Sequence, residues 1–551
     1  MKKDYVNKTP SEILSMLTLK QKVAQTIVPA YFNYAQGREA LKNGVGGLWP
    51  VVLHSKSTGA EFAADMDELH ELSDIPLFIS CDMETGTGQA IHDGLCTEFP
   101  EFMAYSGIAD IAEAERLAYL QGKAMAEEAM SLGWNATPTP VVDVNVNPYN
   151  PITNIRSCGD DPDRVSRIVC AMIKGMQESG IIPMAKHFPG AGMQKYDSHF
   201  GCERISLTKK EMDEVHLKPF RAAIDAGVRC IMTNHAIYEA YDKENVSTLS
   251  PAIMTDLLRG ELGYKNLLMT DAMEMQGVTK QGRGAEAAIK ALAAGNDLIL
   301  APSGGDGVID DIVAAVENGN LPGGIIDAAC LRILEGKARQ GLFDGIRKKR
   351  AKPDGSNWGL ANEIASKSAT VIRDEKRLLP LNNPKGPILV IEPAHPRKML
   401  DFGLYTNTTM IYDILRAELP GSDIKFELFK GDIDETQKKA LVDSARRADT
   451  IIISTSFRSH AGQVGLLTQP QIDTIKAISE TSENIVAVTA NPYASAQIPF
   501  IGTVLCGYST AKAMVQVIVG IMTGKRAAQG RLTIKLPDEF DSSSVPVLSH
   551  D

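Results

Sequence analysis

The sequence predicts an α/β protein, with a TIM-like (β/α)8 barrel followed by a second domain built on an open, mostly parallel sheet. Three observations carry this expectation. Eight short apolar runs alternate with longer amphipathic stretches through the first part of the chain. Polar and charged residues gather just after several of those runs, where barrels of this class place their chemistry. Beyond a Gly-, Lys- and Pro-rich stretch from Gly341 to Trp358, a fresh set of apolar runs begins.

The elements follow in order. Thr9 to Val28 reads as helix, because Leu14, Leu17, Leu19, Val23 and Ile27 recur at near-helical spacing and Thr9 or Ser11 can cap the start. Strands are expected near Thr26–Ala30, Gly46–Val51, Leu77–Ser80, Trp134–Val142, Ile181–Ala185, Cys230–Met232, Leu267–Met269 and Leu298–Ala301. The barrel is therefore assigned to residues 1–345, a linker to 346–375 and the second domain to 376–551. That domain offers strands at Ile388–Ile391, Ile424–Leu428, Thr450–Ser454, Ile485–Thr489 and Val504–Leu505, with helices such as Glu435–Ala448 and Gln469–Ser479 between them. No G-x-G-x-x-G follows its first strand, so a dinucleotide site has no support. The basic run Arg347-Lys348-Lys349-Arg350 reads as solvated linker, and Arg458, Ser459 and His460 as a surface loop.

Composition narrows the class of function. The chain has 551 residues, 44% hydrophobic and 23% charged, which suits a folded enzyme of more than one domain. Its net charge of -11 argues against nucleic acid as a partner, since phosphate neutralisation needs a basic face. The N-terminus lacks the apolar core of a signal peptide, and no apolar run approaches a membrane span. The eight Cys form no framework, so reduced thiols and a cytoplasmic location are expected.

The stretch with most chemistry is Lys186-His187-Phe188-Pro189-Gly190-Ala191-Gly192, followed after four residues by Asp197-Ser198-His199. It begins where the apolar run Ile181–Ala185 ends, so Lys186 and His187 close a buried strand while Asp197 and His199 ride on the loop. A carboxylate two residues from an imidazole can hold one tautomer and raise its basicity. Other strand ends carry Asp82 and Glu84, Asp143 and Asn145, Asn234 and His235, and Asp271. Asn145 and Asn147 read as turn residues before Pro148, and Asp160-Asp161-Pro162 as a helix start.

This pattern resembles the signature of glycoside hydrolase family 3, in particular its β-N-acetylglucosaminidase branch, K-H-F-P-G-H-G, four residues, then D-S-H. Ala191 stands where that branch has His. Asp82-Met83-Glu84-Thr85-Gly86-Thr87-Gly88-Gln89 is similar to the branch's D-x-E-G-G-R-V-Q, with Thr87 in place of Arg. Pro140-Val141-Val142-Asp143, then Asn150-Pro151 and Arg156-Ser157-Cys158-Gly159-Asp160-Asp161-Pro162, resemble a third block, and Met232-Thr233-Asn234-His235 a fourth. The resemblance runs from about Met16 to Leu342 and more loosely beyond, where Leu378-Leu379-Pro380-Leu381 looks like the entry to the family's α/β/α sandwich domain.

The resemblance implies a retaining exo-glycosidase acting on a terminal β-linked N-acetylglucosamine, with no metal or organic cofactor. Asp271 would be the nucleophile, His199 the general acid/base and Asp197 its partner. Asp82, Arg156, Lys186, His187 and His235 would hold the sugar. The expected partner is a small or oligosaccharide substrate, and the protein a monomer or homodimer. A β-glucosidase or a β-N-acetylglucosaminide phosphorylase uses the same groups, so both stay open. Lys186 at a strand end also admits a Schiff-base aldolase, in which the Asp-x-His loop has no evident part. A sugar-binding protein without activity would need a missing catalytic group, and all three are present.

Overall fold

The computed structural model describes residues 5–51, 58–305, 307–344, 351–381, 386–393, 410–431, 433–456 and 465–538. The basic run at 347–350 and Arg458, Ser459 and His460 lie outside the described residues. The chain folds into two compact units. The first comprises Met1–Thr97, Ala118–Val144 and Pro162–Ser356, and the second Glu98–Leu117, Asn145–Asp161 and Asn357–Asp551.

In the first unit, the stretch expected as one helix from Thr9 is two. Thr9 caps Pro10–Met16, and Thr18 caps Leu19–Gln25 through Gln21, each with a reciprocal capping box. Leu17, extended at ψ 136°, breaks the run between them. The apolar periodicity continues across this break, which is why the sequence pattern alone does not show it. Ile27 and Val28, where the helical reading overlaps the strand expected near Thr26–Ala30, are strand.

The strands of this unit are β1 (Ile27–Val28), β2 (Ala30–Tyr31), β3 (Gly47–Pro50), β4 (Phe78–Ile79), β5 (Ala136–Thr137), β6 (Ile182–Phe188), β7 (Arg204–Ile205), β8 (Cys230–Thr233), β9 (Ile237–Tyr238), β10 (Leu267–Met269) and β11 (Ile299–Leu300). Each of the eight expected apolar runs holds strand. Parallel ladders run β2-β3-β4, β5-β6-β8-β10 and β1-β11, while β7 pairs with β9. Single parallel bridges, Ser80 to Ala136 and Met269 to Leu298, link the ends of neighbouring ladders. Alternate residues of seven strands, among them Val28, Phe78, Met184, Met232, Met269 and Leu300, form one apolar cluster. The residues between them, such as Ala185, Ile231 and Leu268, are also buried, so these strands are covered on both faces.

One buried cation tests the packing of this unit. Lys337, on the helix Gly323–Arg339, is fully buried, its Nζ donating to Gln25 Oε1 at 2.6 Å. Burial lowers its pKa from 10.5 to about 7. Folding thus favours the uncharged amine, and the penalty is full below pH 7 and fades as pH rises toward the free-lysine value. Lys337→Met is expected to be more stable than wild type at pH 6, by on the order of 2 kcal/mol after loss of the Gln25 bond. Urea unfolding at pH 6 and pH 9 checks this, because the advantage must shrink at the higher pH.

The second unit contains β12 (Thr370–Asp374), β13 (Ile388–Pro393), β14 (Ile424–Phe429), β15 (Thr450–Ser454), β16 (Ile485–Thr489) and β17 (Thr503–Cys506). Their order is β12-β17-β16-β15-β13-β14, with β12 antiparallel to β17 and the rest parallel. Leu389, Ile391, Ile451 and Ile453 pack against Leu441, Ala445, Ile475 and Ile478 of the helices Glu435–Ala445 and Gln469–Ser479. Residues 346–375, expected as a linker, include the helix Trp358–Ser368 and β12. Two segments read as barrel sequence belong here, because Arg531 N donates to Gly107 O at 2.8 Å, Thr533 N to Ser106 O at 3.0 Å and Lys535 N to Asp160 Oδ2 at 2.8 Å. Such pairing between distant segments leaves no periodic trace in a sequence. Among the described residues no helix is long and apolar enough to cross a membrane.

Candidate active site

Strand β6 carries two polar residues just before its last, Phe188, and they need partners because the strand is buried along its whole length. Lys186, 3% exposed, places Nζ 2.6 Å from Glu84 Oε1 and 3.3 Å from Asp82 Oδ1. Both carboxylates follow β4, and together they offset the cost of burying the ammonium. Asp82 remains half exposed. His187 Nδ1 lies 2.8 Å from Asp143 Oδ2, and the His187 amide donates to the same carboxylate. Asp143 is fully buried and also accepts the Ala191 amide at 2.6 Å. One carboxylate thus fixes the His187 ring as the Nδ1–H tautomer and pins the start of the following loop.

That loop carries the Asp-x-His pair. His199 Nδ1 is 2.6 Å from Asp197 Oδ1, which also accepts the His199 amide at 2.8 Å. The Asp197 side chain is buried at 1% while the His199 ring is 37% exposed. A buried carboxylate behind an exposed imidazole leaves Nε2 as the atom that takes and returns a proton. The loop backbone is held from below by Glu203, whose carboxylate accepts the Lys195 amide at 2.8 Å and the Tyr196 amide at 3.0 Å.

Asp271 follows β10, with Oδ1 accepting the Ala272 amide at 2.8 Å. Burial pushes its pKa up, but the charges of His187, His235 and His199 outweigh that, and the net shift is downward. His235 lies behind it, fully buried, with Nε2 3.1 Å from Ala272 O and Nδ1 2.8 Å from Thr248 Oγ1. Burial lowers the His235 pKa against the pull of Asp271. The segment after Asp271 is stitched to the Asp-x-His loop, Gly277 N donating to Ser198 O at 2.9 Å and Gln276 N to His199 O at 3.3 Å. Only glycine fits at 277, where a Cβ would stand 2.9 Å from His235 O and 3.0 Å from Ser198 O.

The structure therefore brings Asp271, His199, Asp197, His187 and His235 together, with Asp82 and Lys186 joined in one ion-paired group. Arg156 belongs to the second unit, on the turn Asn154–Arg156, where its Nη1 donates to Ile152 O at 2.7 Å. Four residues were given no role from the sequence: Glu84, Asp143, Gly277 and Glu274. Burial raises the Glu274 pKa, and the charge of His199 pulls it down. Glu84 and Asp143 had a signal, a carboxylate just past an apolar run. The two departures from the expected motifs have contacts of their own. Thr87 is buried and donates to Glu128, which also accepts from Thr97, and Ala191 contributes its amide. Among the described residues no group of three or more His, Cys, Asp or Glu is placed to hold a metal ion.

The sequence matches the glycosyl hydrolase family 3 N terminal domain over residues 18–335 and the family's C-terminal domain over 369–550. The chain belongs to glycoside hydrolase family 3. A β-N-acetylglucosaminidase/β-glucosidase of Cellulomonas fimi is 26% identical over 531 residues, covering 92% of this chain and 91% of that protein. A β-hexosaminidase A of Pseudoalteromonas piscicida is 35% identical over 242 residues, 42% of this chain and 40% of that protein. A family 3 β-N-acetylglucosaminidase structure from Paenibacillus sp. str. FPU-7 superposes with a TM-score of 0.84 at 26% identity, covering 94% of this chain and 99% of that one. The fold is shared with a β-glucoside phosphorylase at a TM-score of 0.83 and 23% identity, covering 96% of each chain.

Proposed function

We propose that this family 3 member is a retaining exo-glycosidase that releases terminal β-linked N-acetylglucosamine. Asp271 attacks the anomeric carbon and forms a glycosyl ester. His199, held by Asp197, protonates the leaving oxygen and then takes a proton from water in the second step. Asp82, paired to Lys186, and His187 offer hydrogen bonds to the sugar hydroxyls, while His235 sits behind Asp271 and steadies its segment through Ala272. The observation that carries the reading is the buried Asp197 carboxylate 2.6 Å behind the part-exposed His199 ring, on a loop hydrogen-bonded through Ser198 and His199 to the segment that follows Asp271. No second acid is needed, because imidazole titrates near neutral pH.

The same reading extends to the scaffold. It takes the parallel ladders of the first unit in order as the eight-stranded barrel, and the second unit's sheet with its helices as the family's sandwich. All eight cysteines are free thiols, which suits a reducing cytoplasm. The choice of N-acetylglucosamine rests on the motifs around His187 and Asp82 and on relatives named for that activity.

Phosphorolysis would use the same groups and differ only in the acceptor that meets the glycosyl ester. Hydrolysis of aryl β-N-acetylglucosaminide and aryl β-glucoside, measured side by side with and without phosphate, tests the proposal. The acetamido sugar is expected to be preferred and phosphate to yield no sugar 1-phosphate. Preference for the glucoside, or accumulation of the phosphate ester, would overturn it.

A further inference from the structure

Single apolar residues on a surface need no explanation, but a pair beside a catalytic group does. Among the described residues only seven large hydrophobic side chains stand well exposed, and two of them are Tyr196 at 66% and Phe200 at 44%. They bracket His199 on the one loop that carries the proposed acid/base pair. The Phe200 amide donates to Asp197 O at 3.0 Å, closing a turn that puts the His199 and Phe200 rings side by side with centroids 6.4 Å apart. The turn's backbone is fixed on both sides, by Glu203 at Lys195 and Tyr196 and by Gly277 and Gln276 at Ser198 and His199. The rings therefore stand in water on a backbone that is already ordered, so a ligand that covers them meets little ordering cost.

This inference rests on His199 as the group that protonates the leaving oxygen. Whatever leaves must then lie on the His199 side of the scissile bond. We propose that Tyr196 and Phe200 form the platform for the leaving group, and that the natural leaving group presents a ring with an apolar face, as a pyranose does. Aromatic faces attract such C–H surfaces without demanding one hydroxyl pattern, so the platform selects for a ring and against small or charged leaving groups. The platform is also compatible with an aryl ring, which is why aryl glycosides cannot test it.

The test compares two substrates that share the N-acetylglucosamine to be released. In N,N′-diacetylchitobiose the leaving group is a second pyranose that needs a proton. In N-acetylglucosaminyl β-fluoride it is a single atom with no ring and little need of one. Both side chains are exposed, so Tyr196→Ala, Phe200→Ala and the double variant should fold, which a thermal melt checks. The expected result is a loss in kcat/KM of about tenfold per ring on chitobiose, seen chiefly as a rise in KM, with the fluoride turned over as by wild type. His199→Ala separates the two layers of the argument. In kcat/KM, which reports the first step, it should lose chitobiose and keep fluoride, while kcat on fluoride falls because the same ring takes the proton from water in the second step. If it affects both alike, the acid assignment fails and takes the platform with it. If it discriminates while the aromatic variants leave chitobiose unchanged, or lower both substrates equally, the platform alone is overturned.

Discussion

Asp271→Ala is expected to lower kcat/KM by at least about a thousandfold on every substrate, whatever its leaving group. The loss should not depend on the leaving group because the missing atom is the one that forms the new bond. Removal of the carboxylate also opens the face it attacked from. Added azide should then enter there and give the α-glycosyl azide from an activated aryl substrate, with inversion at the anomeric carbon. Recovery of a β-azide, or of full turnover, would falsify the assignment. The pH profile offers a check without mutation. The imidazole charges outweigh burial and hold the Asp271 carboxyl below the ordinary carboxylate range. An acid limb of kcat/KM above that range must come from another group. The neighbouring Glu274, whose pKa is raised by burial, is the first to examine through Glu274→Gln.

Much of this arrangement is legible in the residues alone, and the reasons are local. Strands such as β8, β10 and β15 betray themselves because each is a short apolar run buried on both faces, and Met269-Thr270-Asp271 shows its active end by a single acidic residue after such a run. The Asp197–His199 pair is legible because both members lie within three residues. What could not be read is set by contacts far apart in sequence. Asp143 meets His187 across 44 residues, and Lys186 meets Asp82 across 104. The need for glycine at 277 comes from the backbone of His235 and Ser198, which no spacing rule announces. The same holds for Glu98–Leu117 and Asn145–Asp161, whose grouping depends on hydrogen bonds to residues 531–535.

Asp197→Asn should have the second large effect, and its dependence on the leaving group is the informative part. Asparagine matches aspartate in size, so the fold and the loop are kept. It cannot supply the negative charge that favours imidazolium, and its amide can donate to Nδ1 and so turn the ring to the wrong tautomer. A histidine deprived of its carboxylate in this way loses about 100- to 10,000-fold in other catalytic pairs. The loss here should reach that range in kcat/KM for phenyl or disaccharide substrates, whose leaving oxygen needs a proton. It should be small for 2,4-dinitrophenyl glycosides, which depart unaided. The sign of the pH effect follows from the same argument. The first step requires the protonated ring, so kcat/KM falls as pH rises through the ring's titration. Loss of the Asp197 charge makes the proton easier to lose and must move that alkaline limb to lower pH. A uniform loss on both kinds of substrate, or a limb that moves upward, would mean that the 2.6 Å contact between Asp197 and His199 shapes the loop rather than the proton transfer.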